Sequence, residues 1–207
     1  MNQLLQLKNL TPLIVLAAAL VCIGLLPKAH AVTPAPDGDY PGGNTAEGQD
    51  ALFNLNSGTY NTAVGYLSLN ATTRGNFITA IGAGALLNSK DASENTVIGA
   101  SALQIADNFL SGGNRNTAVG AFTLYKDTTG NFNTAIGNRA LFNNNIGARN
   151  IAVGANAGSG VTTANSVICI GADGNNVDNS CYIGQIFGAT SFGGSAVFIN
   201  SNVPAVY

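Results

Sequence analysis

A glycine that closes a short apolar stretch returns along this chain at nearly constant distance, and no other feature constrains the fold as much. The series is Gly48, Gly65, Gly82, Gly99, Gly120, Gly137, Gly154, Gly171 and Gly184, with intervals of 17, 17, 17, 21, 17, 17, 17 and 13 residues. Six of the eight intervals are equal, and the two exceptions are a four-residue insertion around Asn108–Gly113 and a four-residue deletion near the end. A unit this short cannot bury its own apolar side, so it stacks on copies of itself. The expected fold is all-β: a parallel β-roll or β-helix solenoid of about nine rungs, mostly of 17 residues. At roughly 4.8 Å per rung it is about 40 Å long.

Within each unit the residues fall into columns. The position before the glycine is aliphatic in eight of nine units (Val64, Ile81, Ile98, Val119, Ile136, Val153, Ile170, Ile183), with Glu47 the exception. Alternation along a strand puts the residue two places earlier on the same face. That residue is Thr45, Thr62, Thr79, Thr96, Thr117 or Thr134, then Ile151, Ile168 and Cys181. Threonine exchanging with isoleucine and cysteine beside an aliphatic column is expected to form a buried ladder. The residues between them (Ala46, Ala63, Ala80, Val97, Ala118, Ala135 and Ala152, before Cys169 and Tyr182 break the rule) are then expected on the outer face, where small side chains suit close approach by another surface. Leu52, Leu69, Leu86, Leu103, Leu124 and Leu141, four places after the glycine, are expected to fill the interior from the opposite wall. Each repeat thus reads as strand, glycine turn, strand, loop. Asparagine opens six of the nine strands (Asn44, Asn61, Asn95, Asn116, Asn133, Asn150), where stacked amides bond from rung to rung and cap loop backbone.

The stretches "NTAVGYLSL", "NTAIGNRAL", "NSVICIG" and "NSCYIG" resemble the repeat of the YadA-like head of trimeric autotransporter adhesins, and bacterial surface and phage tail-fibre-like proteins built from the same repeats. The resemblance covers Asn44 to about Gly188 and implies a left-handed roll, a homotrimer and a role at a cell surface. Neither a heptad stalk, a membrane-anchor barrel nor a C-terminal chaperone domain is recognisable.

Outside the repeats, the N-terminus has the layout of a secretory signal peptide. A polar start carries Lys8, an unbroken apolar run of fourteen residues spans Leu13–Leu26, and Ala29-His30-Ala31 forms a small-x-small site, so residues 1–31 are expected to be removed. The run is fenced by Pro12 and Pro27 and is shorter than the roughly 20 residues a span needs. Residues 32–43, with three prolines and three glycines, read as a linker, residues 44–188 as the roll, and residues 189–207 as a C-terminal β segment or tail.

Removing Lys8 and Lys28 with the leader leaves six Lys/Arg against ten Asp/Glu, a formal charge of −4 with no basic footprint for nucleic acid or an anionic membrane. His30 is the only histidine and leaves as well, which removes any histidine base. Asp91, Glu94, Asp107 and Asp127 are scattered over different loops and read as solvated charges, so the chain is expected not to be an enzyme. No cofactor or metal is expected. "DGNNVDN" (Asp173–Asn179) carries oxygen ligands without an EF-hand or RTX spacing and reads as a turn. "GANAGSG" lacks the following Lys-Ser/Thr of a phosphate loop. Cys169 and Cys181 fall on opposite faces by alternation, which disfavours a bridge. Ice binding, which threonine ladders suit, is set aside because the ladder is expected to be buried.

These readings leave a secreted or cell-surface structural and adhesion module that presents a binding surface to an extracellular protein or glycan. The alternative is a tail-fibre-like or spike component recognising surface carbohydrate. Since the periodic positions serve stacking, binding residues are sought in the aperiodic loops: Phe109, Leu110 and Arg115 around the insertion, and Arg149.

Overall fold

The computed structural model describes residues 40–104 and 113–184. The leader, residues 32–39 of the linker, Phe109, Leu110 and the tail at 189–207 lie outside the described residues. Nine three-residue strands follow one another: β1 (Thr45–Glu47), β2 (Thr62–Val64), β3 (Thr79–Ile81), β4 (Thr96–Ile98), β5 (Thr117–Val119), β6 (Thr134–Ile136), β7 (Ile151–Val153), β8 (Ile168–Ile170) and β9 (Cys181–Ile183). They form one parallel sheet in sequence order, each paired with the next in the register expected from the glycine spacing. The chain is a parallel β-solenoid. The 21-residue interval does not disturb it, since Thr96 still faces Thr117 across β4 and β5.

The two faces of the sheet are the reverse of the expectation. Ala63, Ala80, Ala118, Ala135 and Ala152 are fully buried, whereas Ile81, Ile98, Ile136, Ile151, Val153, Ile168, Ile170 and Ile183 are exposed and the threonines are exposed or half-exposed. The reason is thickness. A 17-residue coil encloses one layer of side chains, and the buried leucine column already fills it from the far wall. A Cβ on Gly158 would lie 2.8 Å from Leu141 and 3.3 Å from Ala152, and the leucine and alanine columns line the same buried interior. Opposite leucine the space favours small side chains, alanine in six of the nine strands with Val97 and Cys169 also buried there, and the flanking threonine, valine and isoleucine columns lie outward.

The leucine wall is not a second strand. Leu52, Leu69, Leu86, Leu103, Leu124 and Leu141 have φ between 47° and 53°, the left-handed region in which no strand continues. Two further columns share that conformation, the second residue after each glycine (Leu67, Phe122, Arg139) and the fifth before it (Tyr60, Phe77, Phe132). Each rung is therefore one short strand followed by tight turns that bend at fixed left-handed positions.

Buried amides hold the rungs together. Asn116 Oδ1 accepts from the backbone N–H of Asn133 at 2.8 Å, Asn133 Oδ1 from that of Asn150 at 2.9 Å, and Asn150 Oδ1 from that of Val167 at 2.9 Å. Each Nδ2 donates to a loop carbonyl, as Asn133 does to Gly147 at 2.8 Å. The bonds run from side chain to backbone rather than from amide to amide. A second ladder two residues earlier runs in the opposite sense: Ser93 N–H donates to Asn114 Oδ1 at 2.7 Å, and Asn114 N–H to Asn131 Oδ1 at 2.8 Å.

Asp127 departs from the solvated charge expected of it. It is 1% exposed and sits one rung before Asn144, within the coil. Its carboxylate accepts from the Gly130 N–H at 2.6 Å, Asn144 Nδ2 at 3.1 Å and Asn133 Nδ2 at 3.2 Å. Burial outweighs these donors and pushes its pKa from 3.8 up to about 7. Because the folded state holds this proton more tightly than the unfolded chain, the stabilisation is complete below about pH 4 and is lost as pH rises through about 7. Urea melts from pH 4 to 8 should show a loss on the order of 4 kcal/mol from this group. Asp127→Asn, which puts here the residue the next rung already uses, should flatten that profile.

Candidate functional site

Among the described residues three outward groupings of side chains stand out once the stacking bonds are assigned. The first is the sheet face. Threonine or isoleucine in one column and valine or isoleucine in the next form a two-column strip along all nine strands apart from Glu47 and Cys181. Ile136 is 41% exposed and Ile170 42%, so the strip is an open apolar surface and not a scatter of single residues. It becomes wholly aliphatic towards β7 and β8, where Ile151 and Ile168 replace threonine. The ground for setting ice binding aside therefore does not hold, since the threonine ladder faces out.

The second feature borders this strip. In the left-handed column before each asparagine, Tyr60 stacks on Phe77 with ring centroids 5.3 Å apart. Glu94 pairs with Arg115 at 2.8 Å, and the Arg115 guanidinium lies 5.3 Å from the centre of the Phe132 ring. Arg149 lies 5.7 Å from the same ring. The structure thus brings two of the expected binding residues, Arg115 and Arg149, into contact with one phenylalanine that the sequence reading did not single out. Phe109 and Leu110 lie outside the described residues. The signal for Phe132 was its position seventeen residues from both Arg115 and Arg149.

The third feature lies beyond the other border of the strip, where Phe122, Tyr125, Lys126, Arg139 and Phe142 gather on two successive rungs. The corresponding positions of neighbouring rungs hold Ser101, Gln104, Asn156 and Ser159, so this cluster is not demanded by the repeat.

Other candidates are accounted for by structure. Asp91 is paired with Arg74 at 3.0 Å. In "DGNNVDN", Asn176 Oδ1 accepts from the N–H groups of Thr162, Thr163 and Ala164, and Asp178 Oδ1 from that of Asn165, so these oxygens bind the preceding rung. Among the described residues no group of three or more His, Cys, Asp or Glu is placed to hold a metal. Cys169 is buried and Cys181 exposed, both as free thiols, and burial pushes the Cys169 thiol pKa up. A cavity lined by Tyr40, Gly42, Leu52, Phe53 and Leu55 lies at the first described rung.

Among the described residues, the strip and its two aromatic borders form one continuous exposed face of the β-solenoid. No protein-family profile, curated protein or solved structure matches the chain.

Proposed function

We propose that this protein is a secreted or cell-surface structural and adhesion module without catalytic activity, assembled as a homotrimer through the threonine–aliphatic strip. The strip is the observation that carries this reading. Water-exposed Ile98, Ile136, Ile151, Ile168 and Ile170 on consecutive or nearly consecutive rungs gain by burial, and a second copy of the same rigid, regularly spaced surface is a matching cover. The resemblance to trimeric adhesin heads supplies the number three. The surface differs from the one first expected: the alanine column lies inside and has no surface to offer a partner. The mixture of valine and isoleucine in the column before the glycine, with Glu47 at its start, makes the strip uneven, which favours a side-chain-lined partner over a flat ice plane.

Sedimentation equilibrium of the purified protein should give the mass of three chains. Ile136→Asp combined with Ile151→Asp should give folded monomers, with the β-sheet circular dichroism retained. A wild-type monomer would sink the assembly, and inhibition of ice recrystallisation by that monomer would reassign the strip to ice. Adhesion is tested by retention of the trimer on cell-surface and matrix preparations. Retention on none of them would end the adhesive reading, and hydrolysis of a glycan by the purified protein would end the non-enzymatic one.

A further inference from the structure

We infer that the cluster of Phe122, Tyr125, Lys126, Arg139 and Phe142 is a binding site for an anionic glycan, one bearing carboxylate or sulfate groups; this rests on the adhesive reading and names its ligand class. Its charge is left free by design of the neighbours. Arg74 and Arg115 are each held by a carboxylate, at 3.0 and 2.8 Å. Arg139 has no such partner among the described residues. Its guanidinium is held instead by ring faces, 5.2 Å from the centre of Phe142 and 5.9 Å from that of Phe122. Lys126 Nζ lies 5.2 Å from the centre of the same Phe142 ring and donates to Asn143 Oδ1 at 3.0 Å. The one acid adjacent in sequence, Asp127, turns into the coil. Two exposed cations thus stand together on a chain whose formal charge is −2.

The rings fix those cations in place. Tyr125 and Phe142 stack in parallel, with centroids 5.3 Å apart and planes 2° apart, and Phe122 tilts against Tyr125 at 5.8 Å. A guanidinium lying on an aromatic face keeps its planar fork of N–H donors directed sideways, the geometry that binds a carboxylate or sulfate through two hydrogen bonds. Because the rungs hold it there, little side-chain freedom is lost on binding. Phe122 is exposed and Tyr125 and Phe142 are half-buried, so the cluster also offers apolar surface that suits the C–H faces of a sugar. The same columns in neighbouring rungs hold small or polar residues (Ser101, Gln104, Asn156, Ser159), so stacking alone does not call for aromatic and cationic side chains here.

The test is calorimetric titration of the purified protein with heparin, polygalacturonate and neutral dextran. Binding to heparin identifies a sulfated ligand and binding to polygalacturonate a carboxylated one, and affinity should fall as salt rises. Arg139→Gln should weaken binding by about tenfold or more, and Arg139→Lys, which keeps the charge and loses the fork, should fall in between. Arg74→Gln, at an ion pair elsewhere on the coil, should bind like wild type. No binding to either polyanion, equal binding to dextran, wild-type affinity in Arg139→Gln, or equal loss in Arg74→Gln would each overturn the site. Surface retention separates the two readings: retention unchanged in Arg139→Gln removes this site and leaves adhesion standing. Titration in solution judges the site even where no surface retains the protein.

Discussion

Ala118→Arg is expected to abolish the cooperative melting of the coil, whereas Ile136→Asp is expected to leave the coil folded. Ala118 is 0% exposed, paired in register with Val97 and Ala135 and packed in the same interior as the leucine column. A guanidinium there has no room and no carboxylate partner, and an uncompensated buried charge costs about 3–5 kcal/mol before overpacking is added. That is comparable with the whole stability of many domains, roughly 5–15 kcal/mol. Ile136 lies on the other face of the same short strand sequence, with its side chain in water, so an aspartate there costs the coil about 1 kcal/mol. Thermal melts followed by circular dichroism separate the two. A folded Ala118→Arg beside an unfolded Ile136→Asp would reverse the faces.

The glycine column gives the second large effect, and it is graded. Gly120 has φ 131°, a conformation that other residues essentially never adopt, and a Cβ on it would stand 2.6 Å from the carbonyl carbon and oxygen of Gly137 in the next rung. Gly120→Ala should therefore cost on the order of 4 kcal/mol. Gly154 has a similar φ of 122°, but its added Cβ would meet Gly171 only at 3.4 Å, so Gly154→Ala keeps the backbone strain and loses the clash. Gly171 has φ 58° with nothing within 4 Å of an added Cβ, and Gly171→Asn should be the mildest of the three. Urea midpoints should fall in that order. Equal losses at Gly120 and Gly154 would show that φ alone, and not contact between rungs, makes glycine necessary.

The period, strand positions, register and buried leucines were legible in the sequence because each depends only on like residues recurring at fixed distance. Which face of the strand points inward was not legible from hydrophobicity, and the hydrophobic rule pointed the wrong way. The better signal was tolerance of volume. Over β1–β7 alanine stays nearly constant, with Val97 the one exception, while the residue before it changes from threonine to isoleucine and the residue after it from glutamate to valine to isoleucine. A tightly packed site restricts size and an open one does not. The asparagine two residues before the alanine shares its face, so a buried hydrogen-bonding role for one required burial of the other. The left-handed corners were hidden because leucine, phenylalanine and arginine occupy them; among the described residues glycine marks the same corners at Gly43, Gly84 and Gly158. Of the candidate site, Arg115 and Arg149 were visible as loop arginines, but that they share a periodic corner column with Phe132 and contact its ring became apparent only once neighbouring rungs were superposed by the coil.

The 21-residue interval between β4 and β5 leaves their pairing intact, so whatever is added within a loop exits sideways while the stack continues. Each rung recognises only the one before and the one after, through the same asparagine bonds and glycine contacts. Tandem duplication or loss of a 17-residue unit therefore changes the reach of the molecule in steps of about 4.8 Å without redesigning any contact. The length of such a coil can therefore change separately from the side chains that its loops and corners display.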